Sequence, residues 1–121
     1  MRIHHLAMRT LKLARLESFY AEILGLPVVQ RDGARSVWLR AGDAILMIEQ
    51  AERSEPALPV KSMDLVAFAV HVDDVARYRR ILDEHKIVTE SETAYTIYFR
   101  DPDGRRIGLS HFPGEKVTID P

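Results

Sequence analysis

Cysteine is absent from the 121 residues, which excludes disulfides, thiolate zinc sites and a thiol nucleophile. A charge of one sign is missing too, because 17 basic side chains stand against 18 acidic ones and leave a formal charge of -1. That balance removes the long-range attraction which drives phosphate-backbone binding, although arginine is strongly preferred over lysine, so no nucleic-acid partner is expected. Nowhere do about 18 apolar residues follow one another, so no membrane-spanning helix is expected. The opening residues Met1-Arg2-Ile3-His4-His5 contain no apolar run of signal-peptide length, and a cytoplasmic location is the simplest expectation. What is present suits one soluble domain: 46% of the residues are hydrophobic and 29% charged. A chain of this size hides roughly two-thirds of its unfolded surface and holds a core without covalent staples.

Periodicity divides the chain into short alternating stretches and two longer ones with helical spacing. Ile3 to Arg9 alternates as a strand, with Leu6 and Met8 on one face and His5, Ala7 and Arg9 on the other. Leu13, Leu16, Tyr20, Ile23 and Leu24 then fall on one helical stripe, which Gly25 and Leu26-Pro27 end. Val28 to Arg31, Ser36 to Arg40 and Ala44 to Gln50 read as antiparallel strands around Asp32-Gly33 and Gly42-Asp43. The stretch from Ala51 to Val60, with Pro56 and Pro59, suits an exposed connection. The order then repeats. Leu65 to His71 alternates, Val75, Tyr78, Ile81, Leu82 and His85 form a stripe behind an Asp73 or Asp74 cap, and Ile87 to Glu90 is a short strand. Tyr95 to Arg100 and Arg105 to His111 flank the turn signal Asp101-Pro102-Asp103-Gly104. Both halves read β-α-β-β-β with a register near 60 residues: Ala7 answers Ala67, Leu39-Arg40 answers Phe99-Arg100, and Ile48 answers Leu109 with one residue of slippage.

Each unit must bury one sheet face against its helix, which leaves the other face to be explained. That face collects His5, Ala7 and Arg9 with Met47 and Glu49 in the first half. In the second half it collects Leu65, Ala67, Ala69 and His71 with Gly108, Ser110 and Phe112. Small side chains with a few polar groups make a pocket, to which Trp38, Tyr95 and Tyr98 are possible aromatic walls. Arg9 points the same way, either to grip a ligand oxygen or to pair with Glu49 as a structural bridge. Tyr20 reads as core, His4 and His85 as structurally neutral, and Arg105-Arg106 as a solvated face.

The segments His5-Leu6-Ala7-Met8-Arg9 and Phe19-Tyr20-Ala21-Glu22-Ile23-Leu24-Gly25-Leu26, with Leu65-Val66-Ala67-Phe68-Ala69-Val70 and Tyr98-Phe99-Arg100-Asp101-Pro102-Asp103-Gly104, resemble the vicinal oxygen chelate superfamily. That superfamily includes glyoxalase I, bleomycin-resistance proteins, fosfomycin-resistance enzymes, extradiol dioxygenases and methylmalonyl-CoA epimerase. The resemblance implies an α+β fold, with two βαβββ modules in tandem forming a curved mixed sheet around a concave cavity and the helices on the outer face. It implies one domain over 1–121, with module one at about 1–52, a linker at about 53–62 and module two at about 63–121. A homodimer is implied as well, through exposed sheet edges. One scaffold of this kind hosts isomerases, transferases, dioxygenases and pure binders, so the fold does not name a reaction.

In metal-using relatives four ligands come from the first and last strands of the two modules. The resemblance carries these positions onto His5, Met47, Leu65 and Gly108, and only His5 is a donor. A divalent cation needs several nitrogen or oxygen donors converging within about 2.0–2.3 Å, which leucine and glycine cannot supply. Glu49 lies two residues beyond Met47, about 6.6 Å along the strand, and is the best substitute. His71, roughly 20 Å from the Leu65 position, is too distant, and His111 has the wrong parity. The leading expectation is therefore a protein that binds a small molecule in a cavity lined by His5, Arg9, Trp38, Met47, Glu49, Leu65, Gly108 and Ser110, with no cofactor. The alternative is a lyase, isomerase or dioxygenase of the glyoxalase type, with His5 and Glu49 holding Ni, Zn, Mn or Fe and the metal acting as a Lewis acid. A third reading is an interaction module with a vestigial cavity. Whether there is catalysis stays open at this point, as does the identity of the ligand.

Overall fold

A computed structural model describes residues 1–113, which fall into two compact units that meet between Ala57 and Leu58. The first unit runs β1 (His5–Thr10), α1 (Leu13–Glu17), a π-helical continuation (Ser18–Ile23), β2 (Val28–Asp32), β3 (Ser36–Ala41) and β4 (Ala44–Gln50). In the second come β5 (Leu65–Ala69), a 3-10 turn (Val72–Asp74), α2 (Val75–Glu84), β6 (Ser91–Glu92), β7 (Thr96–Arg100) and β8 (Arg106–Ser110). Each unit folds into one four-stranded mixed sheet, ordered β1-β4-β3-β2 and β5-β8-β7-β6. The first and last strands of a unit pair in parallel and the other neighbours are antiparallel. The fold is thus α+β, with two βαβββ modules in tandem.

Alternation decides which side of each sheet is core. In the first unit Met8, Val37, Leu39, Leu46 and Ile48 are buried together with Leu13, Leu16, Phe19, Tyr20 and Leu24 of the helical segment. In the second, Ile97, Phe99, Ile107 and Leu109 are buried with Val75 and Leu82 of α2. Burying such aliphatic and aromatic side chains stabilises each by roughly 1.5–3 kcal/mol relative to exposure. The opposite, helix-free faces carry the residues of the other parity.

Three local expectations change. The single helical stripe is broken by the π-helical turn, in which the Leu24 N–H reaches the Phe19 carbonyl at 3.0 Å and the Leu26 N–H the Tyr20 carbonyl at 3.0 Å. The wider turn brings Phe19 and Tyr20 inward together, with their rings edge to face at 4.9 Å, and leaves Ile23 half-buried. Asp74 does occupy the N-cap position of α2 but makes no capping hydrogen bond with its side chain. The side-chain cap is one turn earlier, where His71 Nδ1 accepts the Asp73 N–H at 3.1 Å at the start of the 3-10 turn. The short strand expected at Ile87 to Glu90 lies instead at Ser91–Glu92, because Lys86 adopts φ 57° and the Ile87 N–H still bonds back to the Leu82 carbonyl.

The one-residue slippage between modules has its cause in a turn. Arg40 pairs with Ile45 across Gly42-Asp43, whereas Arg100 pairs with Arg106 across the longer Asp101-Pro102-Asp103-Gly104-Arg105 loop. Asp101 fills that loop with its fully buried carboxylate, accepting the N–H groups of Asp103 at 2.9 Å and Arg105 at 3.0 Å. Gly104, at φ 93°, supplies the left-handed residue which closes the loop.

Candidate functional site

Parity places the residues singled out from the sequence on the helix-free faces of their own sheets. In module one, register aligns Arg40, Ile45 and His5 as one row, Trp38, Met47 and Ala7 as the next, and Ser36, Glu49 and Arg9 as the third. His5, Ala7 and Arg9 are exposed and Trp38, Met47 and Glu49 half-buried, as an open face requires, whereas Ser36 is buried. In module two the rows are Arg100, Arg106 and Leu65, then Tyr98, Gly108 and Ala67, then Thr96, Ser110 and Ala69.

Arg9 is held from two sides. Its guanidinium donates to both carboxylate oxygens of Glu55, at 2.9 and 2.7 Å, and lies 3.7 Å from Glu49. Glu55 also accepts the Glu52 N–H at 2.6 Å. The Arg9 hydrogen bond, assisted by that N–H, draws the Glu55 carboxyl down from the ordinary carboxylate value to about 2. Arg9 therefore ties β1 to the segment after β4, in a pairing with Glu55 that sequence reading did not consider.

His5 and Glu49 do not converge. His5 pairs with Ile45 while Glu49 pairs with Arg9, so four strand positions, about 13 Å of backbone, separate them along the sheet. His5 instead meets His4, Nδ1 to Nδ1 at 2.9 Å with the rings edge to face. Among the described residues no group of three or more His, Cys, Asp or Glu side chains is arranged to hold a metal ion. Of His5, Met47, Leu65 and Gly108, only His5 has a side-chain nitrogen or oxygen donor.

Module two shows a cluster that sequence reading missed. Arg105 and Arg106 are not a solvated face: each side chain is only 13% exposed. Arg105 is folded back onto Asp101 and Asp103, at 3.4 and 3.2 Å. Arg106 lays its guanidinium over the Tyr98 ring, 4.2 Å from the centroid, and donates from Nη2 to the Ser91 hydroxyl at 3.2 Å. Its Nε is buried without a hydrogen-bond partner among the described residues, 3.6 Å from Glu90. Glu90 is already taken by Arg100, which donates to its two oxygens at 2.5 and 2.9 Å and lowers its pKa. Arg100 also donates to the Ser62 and Gly104 carbonyls at 2.6 and 3.2 Å. The available signal was parity, because counting back two residues from Gly108 puts Arg106 on the open face.

The row beside this cluster is closed over at Gly108, which is buried. A Cβ added at Gly108 would meet Thr96 Cγ2 at 3.2 Å, Ala67 Cβ at 3.4 Å and Leu65 Cδ1 at 3.5 Å. Ser110 accepts hydrogen bonds from the Thr96 hydroxyl at 2.8 Å and the Phe112 N–H at 3.4 Å. Tyr95, expected as an aromatic wall, packs instead against His111 and Phe112, with ring centroids 5.6 and 5.0 Å away. His111 faces the helix side, where it lines a hollow of about 10 Å³ with Val75 and Tyr78. That volume admits about one water and no organic ligand. A wider cleft, about 550 Å³ and open to solvent, lies beside α1 between Lys12, Arg15, Arg31 and Gln50. Arg31 is held there by Glu17 at 2.7 Å.

Comparison with known proteins places these observations in a family setting. The profile of the Glyoxalase/Bleomycin resistance protein/Dioxygenase superfamily matches residues 2–109. Among solved structures, a glyoxalase/dioxygenase from Nostoc punctiforme superposes with a TM-score of 0.77 at 20% identity, over 89% of this chain and 88% of that one. A fosfomycin resistance protein from Mesorhizobium loti gives 0.74 at 20% identity over 91% and 90%. Lactoylglutathione lyase from Agrobacterium tumefaciens gives 0.70 at 19% identity over 90% and 92%. At such identities the likeness is one of fold. No curated protein sequence matches this chain.

Proposed function

Because the chain belongs to the Glyoxalase/Bleomycin resistance protein/Dioxygenase superfamily, we propose that it binds a small organic molecule on the helix-free faces of its sheets, without the metal site of its catalytic relatives. One observation carries the reading: of the positions His5, Met47, Leu65 and Gly108, a single one bears a donor. The neighbouring side chains on those faces are small or aromatic, namely Ala7, Ala67, Ala69, Trp38 and Tyr98. Such a lining suits an organic ligand oriented by a few polar groups. We assign His5, Trp38, Met47 and Glu49 in module one, and Leu65, Gly108 and Ser110 in module two, to this lining. Arg9 borders it while held by Glu55.

The proposed working unit is a homodimer of single-domain chains. The support is β2, an edge strand whose five residues are all exposed, Val28 and Val29 at 43% each. An uncovered edge of this kind is normally paired or protected. No helix among the described residues is long and apolar enough to cross a membrane.

The test is elemental analysis of untagged protein, before and after dialysis against nickel, zinc, manganese and iron(II) salts. Substoichiometric metal in every case is the expected result. Near-stoichiometric retention would overturn the metal-free reading in favour of a glyoxalase-type lyase, isomerase or dioxygenase. The same apparatus sharpens the assignment of positions. Leu65→His with Gly108→Glu restores two donors at sites that nearly touch, since Leu65 Cδ1 lies 3.5 Å from where a Gly108 Cβ would stand. The double variant is expected to gain nickel or zinc binding, and no gain would show that these positions do not correspond to the family's ligands.

A further inference from the structure

We propose that the cleft beside α1 in module one is a second binding site, for a soluble organic phosphate, in which Lys12 and Arg35 supply the charge and the gap between α1 and the β2–β3 turn takes the organic part. The site lies on the helix side of the sheet, apart from the open faces, and does not depend on what those faces bind.

The gap is not filled by the protein itself. One wall is the start of α1, with Lys12, Ala14 and the buried Leu13, and the other is the β2–β3 turn, where Gly33 and Ala34 carry little or no side chain. A Cβ added at Gly33 would meet no atom within 4 Å, whereas one added at Gly108 in module two would be crowded from three sides. The volume of about 550 Å³ falls within the range of small-molecule sites. Fixed contacts hold the walls. Arg31 donates to both oxygens of Glu17 at 2.7 Å, which joins β2 to α1. Gln50 donates from Nε2 to the Leu11 and Ala51 carbonyls at 3.0 and 3.3 Å, which fixes the end of β4 against the turn before α1.

Charge then says what fits. Glu17 is the one carboxylate among the lining residues, and Arg31 offsets it. Lys12 stays exposed, and its side chain makes no hydrogen bond or ion pair among the described residues. The same holds for Arg35, which stands at the rim because it follows Ala34 and its carbonyl accepts the Gln50 N–H at 2.8 Å. Two uncompensated cations beside one cleft make a local positive field on a protein whose formal charge is -1. A phosphate monoester carries close to two negative charges at neutral pH and answers both cations, whereas a carboxylate answers one. Lysine offers it a point charge and arginine a fork of donors. Leu13, Ala14 and Ala34 offer apolar contact that free phosphate cannot use, which favours an ester.

The experiment is titration of the isotope-labelled full chain at low salt with phenyl phosphate, inorganic phosphate, benzoate and benzyl alcohol, read by amide chemical shifts. Phenyl phosphate is expected to shift the amides of Lys12, Ala14, Gly33 and Ala34 and to bind roughly tenfold more tightly than benzoate. Inorganic phosphate should shift the same amides with lower affinity, and benzyl alcohol should leave them in place. At pH 5 the ester is mostly a monoanion, since its second pKa is about 6, and its advantage over benzoate should shrink. Lys12→Gln and Arg35→Gln should each weaken phenyl phosphate binding by roughly five- to tenfold, and Ala34→Trp should block it with both cations in place. Arg80→Gln removes an exposed charge from α2 of module two and should leave the affinity unchanged. All four side chains are exposed, so these changes leave the core intact. Equal weakening by Arg80→Gln would reduce the effect to net charge and overturn the site. Phenyl phosphate that binds no better than benzoate, or that shifts only amides outside the cleft, would overturn it as well. Inorganic phosphate as tight as the ester would overturn the part given to the apolar wall.

Discussion

Module one and module two share their wiring and differ in their chemistry. Strand for strand the pairing is the same, so Trp38 corresponds to Tyr98, Leu39 to Phe99, Arg40 to Arg100, Met47 to Gly108 and Glu49 to Ser110. The helix sides correspond in kind, apolar against apolar, because each must fill a sheet-helix interface. The open faces do not. Module one carries larger and charged side chains on its open face, and its Arg9 is bound to Glu55 and Glu49. Module two has Ala69 in place of Arg9, glycine in place of Met47, and Arg106 where module one has Ile45. Arg40 makes no hydrogen bond or ion pair with its side chain among the described residues, whereas its counterpart Arg100 is tied to Glu90 and two carbonyls. Duplication fixes a scaffold through its core, and the faces that the core does not need are where the two copies diverge.

The sharpest divergence in stability should come from the β3–β4 and β7–β8 connections. Asp101 is buried and its carboxylate accepts from the Asp103 and Arg105 N–H groups and from the Arg105 guanidinium, whereas the equivalent turn in module one is Gly42-Asp43 with Asp43 exposed. Asp101→Ala should cost about 2–4 kcal/mol, since it strands two N–H groups and a nearly buried cation. Asp43→Ala should cost about 0.5 kcal/mol or less. Urea unfolding measures both, and equal losses would show that the longer loop is not held by its carboxylate.

A smaller difference should appear with pH. Glu55 titrates at about 2 in the folded protein against 4.5 ordinarily, with the Arg9 hydrogen bond as the main cause. Folded protein therefore binds fewer protons than unfolded protein between these values. The stabilising contribution is complete above pH 4.5 and disappears as pH falls through about 2. Wild type and Glu55→Gln should differ in unfolding free energy at neutral pH and converge at the acid end, less so in high salt because the pair is exposed. Ala69, in the place of Arg9, gives module two no counterpart to this strap. Glu90, lowered by Arg100, should give its own acid-side convergence in Glu90→Gln. A constant offset from neutral pH to pH 2 would rule out the ion pair as the source.

How much of this could be read from letters follows from the same contrast. Alternation is a local property, so the two faces of β1, β4, β5 and β8 were legible, as was the one-residue slippage, although Leu6 on the core side of β1 stays 37% exposed instead of joining Met8 in the core. The resemblance carried the fold. Ion pairs were legible only where partners share a strand register, as Arg9 and Glu49 do, and not where one partner sits in a connection, as Glu55 and Glu90 do. Arg106 was misjudged because an arginine after a turn is usually solvated, and only the cross-strand approach of Tyr98 reveals that it is covered. Phe19 was missed for a different reason: a π-helical turn changes the period, and a stripe counted at 3.6 residues per turn drifts off the buried face.

The smallest expected effect lies where the two modules solve one problem with different residues. Each first strand must release into a helix, and each does so with a side-chain acceptor two residues before the N–H it receives. Thr10 Oγ1 takes the Lys12 N–H at 3.1 Å and His71 Nδ1 takes the Asp73 N–H at 3.1 Å. The settings differ, since Thr10 is 3% exposed and His71 is open to solvent. Removing an acceptor from a covered N–H leaves it unpaired, whereas water replaces the acceptor at an exposed one. Thr10→Val, which keeps the shape and loses the hydroxyl, should therefore cost about 1 kcal/mol, and His71→Ala about 0.5 kcal/mol or less. The order matters more than the sizes. If His71→Ala were the costlier change, the imidazole would be contributing through more than its lone pair, and its 3.4 Å approach to the Asp73 carboxylate would be the interaction to remove next, with Asp73→Asn.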